Sequence, residues 1–319
     1  MAGIHSLDHF MLQIPNLAEG ARFYEEFGLT VQPEAHEFTF TAADSAHRWG
    51  RYVEGPRKAL RYISFGAYAE DMATFAHRLR QRRIATLPPP PGMARDESGI
   101  WFRDDDGILI EIRVAEKVSP NAKSAAENPS VPAGVAAMPL RVDAPFVRPR
   151  RLSHILLFTT DVPRAVAFYR DVLGMCLSDS AADVIAFMHG VHGSDHHLVA
   201  FAKSDAPGFH HCSWAVLSVN EVGLGAMQMA DKGHTAGWGL GRHVLGSNFF
   251  HYVRDPWGSY SEYSHDIDYI PGDGSWKASA VTPDNGFYLW GPNPPADFTF
   301  NYEAPSASLT RELIASEPG

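Results

Sequence analysis

Residues 152–175 read LSHILLFTTDVPRAVAFYRDVLGM, and residues 7–29 read LDHFMLQIPNLAEGARFYEEFGL. At a constant offset of 145, His9 matches His154 and Phe23-Tyr24 matches Phe168-Tyr169, so the chain carries one unit twice. In the second copy Leu152 to Thr159 has the composition of a buried strand. Asp161 is placed to cap a helix, Pro163 fits its first turn, Val166, Tyr169 and Leu173 share one helical face, and Gly174 ends it. The two copies also close alike. FRDDDGILIEI carries Glu111 and VRDPWGSYSEY carries Glu262.

Working outward from these ends, short strands are expected at 183–189, 196–202 and 210–218, a helix at about 220–232, and strands at about 248–254 and 259–264. The last two are joined by Asp255-Pro256-Trp257-Gly258, which reads as a turn. This predicts two βαβββ-like units in each half, an α+β chain of two domains. The expected boundaries are 1–114 for the first domain, 115–148 for a linker rich in Ala, Pro, Ser and Val, 149–270 for the second domain and 271–319 for a tail.

A chain of 319 residues, 45% of them hydrophobic, buries a large core. No apolar run approaches the ~18 residues of a membrane span. The N-terminus MAGIHSLDHF lacks the basic and apolar regions of a secretory signal, so the cytoplasm is the expected location. Two cysteines, Cys176 and Cys212, are expected as thiols. A net charge of -10 argues against a nucleic-acid or anionic-membrane partner.

Six residues of the second half have chemistry beyond packing. His154, His211 and Glu262 begin or end apolar runs, and His197, His243 and Tyr252 fall among them. Two imidazoles with one carboxylate can form a facial triad on a non-haem metal. Any one of 16 histidines is more often a packed or surface residue. Glu262, within a strand-like run, is costly to bury without a cation or metal.

The four motifs LSHILLFTTDVPRAVAFYRDVLGM, HHLVAF (196–201), HHCSWAV (210–216) and GRHVLGSNFFHYVRDPWGSYSEY (241–263), in this order, resemble the type I extradiol ring-cleaving dioxygenases of the vicinal oxygen chelate superfamily. The resemblance covers most of 150–270, with a degenerate copy over 5–113. It implies paired βαβββ modules and an Fe(II) site in the second half, with Mn(II) as an alternative, held by His154, His211 and Glu262. It further implies that His197 acts as acid and base beside the oxygen site, with His243 and Tyr252 flanking the substrate oxygens. His196 is the other candidate for the acid-base role, but HLVAF aligns His197 better, and alternation along a strand sends His196 to the opposite face. The implied partners are a catecholic substrate and O2, the implied product is of muconic semialdehyde type, and the implied assembly is a homo-oligomer.

Within that resemblance the substrate is expected to be a neutral substituted catechol or a trihydroxybenzene. The loop before GRH carries Gly237-Trp238-Gly239, and the only basic residues after Glu262 are Lys277 and Arg311, so arginines suited to a carboxylate are missing. His189 occupies a position where relatives line the ring, and is expected to meet a polar substituent. Trp276, Phe287, Tyr288, Trp290 and Phe298 of the tail are expected to cover the site or to pack between domains or subunits. Leu156 and Leu245 stand where several relatives carry asparagine. In the first half Tyr62 falls at the position of His211, which marks that half as a structural relic without a working metal site. Other readings of the same pattern are a hydroquinone-cleaving dioxygenase, a glyoxalase-like metal isomerase and a non-enzymatic binder of aromatic ligands.

Overall fold

The computed structural model describes residues 2–90, 99–125 and 131–305. Its first half runs β1 (Ser6–Ile14), α1 (Leu17–Phe27), β2 (Thr30–Pro33), β3 (Glu37–Thr41), β4 (Arg48–Glu54), β5 (Ala59–Ala67), α2 (Met72–Gln81), β6 (Ile100–Arg103) and β7 (Leu109–Val114). The second half runs β8 (Arg151–Thr159), α3 (Val162–Asp171), β9 (Cys176–Ala181), β10 (Ile185–His189), β11 (Ser194–Asp195), β12 (Val199–Lys203), β13 (Gly208–Ala215), α4 (Val219–Asp231), β14 (Gly237–His243), β15 (Phe249–Arg254) and β16 (Tyr260–His265). The tail adds β17 (Tyr269–Ile270), β18 (Ser279–Val281), α5 (Pro283–Gly286) and β19 (Tyr288–Trp290).

Two mixed sheets follow one plan. The first is ordered β2-β3-β4-β1-β5-β7-β6; the second contains β9-β10-β12-β8-β13-β16-β15-β14 and is extended at its ends by β18 and β19. Each half is therefore a pair of βαβββ modules joined along β1 and β5, or β8 and β13, as the repeat predicts. In the first half the strand corresponding to β14 is reduced to a single bridge, Leu87 to Trp101. Among the strands absent from the sequence reading, β9 (CLSDSA) and β14 (GWGLGRH) are polar or glycine-rich segments whose pairing comes from their neighbours rather than from their own propensity.

Local chemistry sets the helix ends. Asn16 and Asp161 accept from the backbone N–H three residues on, at 3.1 and 3.0 Å, and so start α1 and α3. Gly28 closes α1 in a left-handed conformation at φ 101°, where a Cβ would also collide with the Val147 carbonyl.

The halves interlock reciprocally. Phe27 of α1 stacks on Tyr263 of β16 with ring centroids 3.9 Å apart, and the Tyr263 hydroxyl donates to the Phe27 carbonyl at 2.8 Å. The turn 104–107 reaches across to the second half, where Arg164 and Thr160 donate to Asp106 and Tyr169 donates to Asp104. The matching turn 255–258 sends Trp257 against Gly20 of α1, so it is an anchor as well as a turn.

The first part of the linker is fastened to the body. Val118 and Ser119 donate to the Ser6 hydroxyl, and Lys123 pairs with Asp266 and Asp268. The tail is fastened as well: Glu303 pairs with Lys58 at 2.8 Å and accepts the backbone N–H groups of Leu60 and Phe209. Among the described residues, no helix is long and apolar enough to cross a membrane. Arg311 lies outside the described residues.

Candidate active site

Strand register places three potential ligands on one face. Ser213 of β13 pairs with His154 of β8 on one side and with Glu262 of β16 on the other, and His211 lies two residues before Ser213 on the same face. The small Ser213 side chain leaves room between the larger ones. His154 Nε2 and His211 Nε2 lie 3.2 and 3.8 Å from Glu262 Oε2, and one ligand atom from each residue falls within 4.8 Å of the others. All three residues are buried, with Glu262 wholly enclosed.

The donor set fits a divalent cation. His211 Nε2 and Glu262 Oε2 are buried without hydrogen-bond partners, an arrangement that costs several kcal/mol unless a metal takes them up. The other carboxylate oxygen is already fixed, because Asn248 donates to Glu262 Oε1 at 3.0 Å. Burial, reinforced by His210, His154 and His243, holds His211 well below the ordinary imidazole range, which keeps it in the neutral, ligating form.

Residues behind the ligands set which nitrogen is free. The Phe298 carbonyl can only accept, so His210 Nε2–H donates to it at 2.7 Å and His210 Nδ1 accepts from His211 Nδ1–H at 2.6 Å. Ser153 donates to Asp195 at 2.8 Å and stands 3.3 Å from His154 Nδ1, completing a second such chain. In both ligands this assignment leaves Nε2 bare and directed at Glu262.

A cavity of about 520 Å³ opens over the cluster. His154, His197, His211, His243, Asn248 and Tyr252 face it, with Leu156, Phe187, Ala202, Leu245, Phe287 and Phe298 forming apolar walls. Tyr252 pairs with Glu262 across β15 and β16, and its hydroxyl lies 2.9 Å from His243 Nε2. The other His243 nitrogen donates to the Phe287 carbonyl at 2.8 Å. Burial and the nearby Glu262 raise the Tyr252 phenol well above its ordinary value, so it stays protonated. His197 packs on His154 with ring centroids 3.9 Å apart, and burial together with four neighbouring imidazoles keeps it neutral. Five of the six residues singled out in the sequence thus line one cavity, and the sixth, Glu262, lies enclosed behind it within reach of His154 and His211.

Three expectations change. His196 is fully buried and bonded to His197 and to Asp179, rather than pointing away, because both histidines precede β12 and strand alternation does not govern them. His189 does not line the cavity: pairing of β9 with β10 skips Ser178, whose hydroxyl meets His189 Nδ1 at 2.8 Å. Phe187 supplies the wall instead. Among the tail aromatics, Phe287, Tyr288 and Phe298 line the cavity, whereas Trp276 packs on His196 and Trp290 lies half exposed near Phe249. Asn248 and His210 were missed by the sequence reading. The doubled histidine of HHCSWAV was the available signal for His210.

The model of the Glyoxalase/Bleomycin resistance protein/Dioxygenase superfamily matches residues 6–112 and 151–263. The chain is 50% identical over 301 residues to metapyrocatechase 2 of Cupriavidus necator, covering 94% of this chain and 93% of that protein. It is 24% identical to the manganese-dependent 2,3-dihydroxybiphenyl 1,2-dioxygenase of Geobacillus genomosp. 3, covering 86% of this chain and 89% of that one. Its fold is similar to that of BphC, a halotolerant catechol dioxygenase, with a TM-score of 0.73, 21% identity and coverage of 92% and 96%.

Proposed function

Because the chain belongs to the glyoxalase/bleomycin resistance protein/dioxygenase superfamily, we propose that it is an extradiol dioxygenase, opening the ring of a neutral substituted catechol with O2. The observation that carries this reading is the convergence of His154, His211 and Glu262 beneath a cavity that also holds His197, His243 and Tyr252. His154, His211 and Glu262 would hold Fe(II) or Mn(II), which would supply the Lewis acidity and electron-transfer chemistry that diol and dioxygen need. Fe(II) is the metal of this proposal.

The remaining work belongs to the side chains. Tyr252 and His243 hold a substrate oxygen: the Tyr252 hydroxyl accepts from a substrate hydroxyl or, turned from His243, donates to the oxygen left after ionisation. His197, neutral and on the opposite side of His154 from Tyr252's strand, accepts the proton and later returns it. Leu156, Phe187, Leu245 and Phe298 exclude water and grip the ring.

The walls support a neutral substrate. Arg242 is engaged by Asp266 and Phe249, Arg254 is engaged by Asp297, and Lys203 at the cavity edge pairs with Asp183. A carboxylate on the ring would enter an apolar enclosure without a free cation among the described lining residues. The tail acts as a fixed aromatic cover through Phe287, Tyr288 and Phe298. Two free thiols, Cys176 and Cys212, suit the cytoplasm. Self-association suits the exposed Met138, Leu140, Phe146 and Met227 along the groove between the linker and α4.

The test is product analysis under ¹⁸O2 with catechol, 3-methylcatechol, 2,3-dihydroxybiphenyl and a catecholic acid. Both labelled atoms in a ring-opened product, with the acid processed worst, is the expected result. Unlabelled product or unreacted diol overturns the reading.

A further inference from the structure

The chains behind His154 and His211 end on Asp195 and on the Phe298 carbonyl. A third chain of the same kind begins at His197, outside the ligand set. His197 Nδ1 lies 3.0 Å from His196 Nδ1, and His196 Nε2 lies 2.7 Å from Asp179 Oδ2. Asp179 Oδ1 accepts both the backbone N–H of Ser279, at 2.6 Å, and its hydroxyl, at 2.5 Å. His196 itself is immobilised, since its N–H donates to the Asp268 carbonyl and its carbonyl accepts from Ser178.

The direction of this chain follows from its end. An ionised carboxylate only accepts, so the hydrogen between Asp179 and His196 belongs to His196 Nε2. With that as its ring hydrogen, His196 has a bare Nδ1, which accepts from His197 Nδ1–H. That leaves the lone pair of His197 on Nε2, the ring nitrogen not used by His196.

We propose that Asp179 and His196 are positioning residues that lock His197 in the Nδ1–H tautomer with its Nε2 lone pair available to a substrate hydroxyl, and that Ser279 of β18 fixes the polarity of the chain. The proposal rests on His197 being the proton carrier of the reaction. It gives the tail a second task besides covering the cavity, because β18 pairs alongside β9 at Asp179 itself. A neutral imidazole in the other tautomer would present a hydrogen where a base is needed.

An amide at 179 reverses the chain. In Asp179→Asn the two Ser279 donors retain the amide oxygen, which turns the amide NH2 toward His196 Nε2. His196 must then carry its hydrogen on Nδ1 and donate it to His197, whose own hydrogen moves to Nε2. In His196→Asn the side-chain oxygen replaces the Nδ1 acceptor, whereas His196→Phe fills the space beside Trp276 and Phe187 but accepts nothing.

The experiment combines ¹H–¹⁵N tautomer assignment in ¹⁵N-histidine-labelled, metal-free full chain with turnover of the Fe(II)-loaded protein. His197→Gln identifies the His197 signal. The expected result is Nδ1–H in the wild type, Nε2–H in Asp179→Asn, and a fall in kcat of at least about tenfold in Asp179→Asn and His196→Phe with anaerobic catechol affinity within about twofold. His196→Asn should recover most of the turnover lost in His196→Phe. Wild-type His197 protonated at Nε2, an unchanged tautomer in Asp179→Asn, or His196→Phe turning over at least as well as His196→Asn would each overturn the proposal. Absence of diol-dependent oxygen uptake in the wild type would instead remove the dioxygenase reading, while the tautomer measurement still decides the chain.

Discussion

Tyr62 stands in the first half where His211 stands in the second: Tyr62 pairs with Met11 across β1 and β5 as His211 pairs with Leu156 across β8 and β13. Its hydroxyl lies 3.0 Å from His9 Nε2, and Ser64 donates to Glu111 at 2.6 Å, so protein groups already engage the imidazole and the carboxylate of the first half. Metal content should accordingly be one ion per chain. His211→Ala should lose that ion and His9→Ala should retain it, as measured by elemental analysis after dialysis; a second ion that disappears in His9→Ala would contradict this.

Removing the Tyr252 hydroxyl should weaken catalysis without loosening the metal. A hydrogen bond to a charged oxygen contributes about 1.5–3 kcal/mol, so Tyr252→Phe is expected to lower kcat/KM by roughly 10- to 150-fold. Steady-state oxygen uptake at saturating metal measures it. Unaltered kcat/KM would remove Tyr252 from the substrate contacts.

The turn at Asp104 makes stability depend on pH. Burial raises the Asp104 carboxyl from its ordinary 3.8 to about 7, so the folded chain binds this proton more tightly than the unfolded chain. The group costs nothing below about pH 4. Its cost grows as pH rises toward 7 and is then constant. Asp104→Asn should therefore raise the denaturation midpoint more at pH 8 than at pH 4.5, and an equal change at both values would refute the assignment.

The contact between halves should carry much of the stability. Phe27 is fully buried beneath Tyr263, and truncating such a ring costs about 3–5 kcal/mol. Urea denaturation of Phe27→Ala should show a loss of that order, compared with about 1 kcal/mol for Tyr263→Phe, which removes only the hydrogen bond to the Phe27 carbonyl.

The repeat made the fold readable, because matched strand ends at His9 and His154, and at Glu111 and Glu262, fix which strands are central. The ligand candidates were readable through the family resemblance of the four motifs in their order, and not from the repeat, in which Tyr62 stands at the position of His211. What could not be read was side chain on side chain. Asn248 beneath Glu262 and Asp179 behind His196 depend on distances between elements, and no local pattern encodes them. His189 was misplaced because a one-residue irregularity at Ser178 is invisible in a sequence.

Oxygen consumption by the anaerobically purified, Fe(II)-loaded chain on addition of 3-methylcatechol tests the central claim most directly. The account predicts one O2 consumed per diol, a yellow ring-opened product, and no uptake in His211→Ala. Full metal occupancy without diol-dependent oxygen uptake across neutral catechols would contradict it.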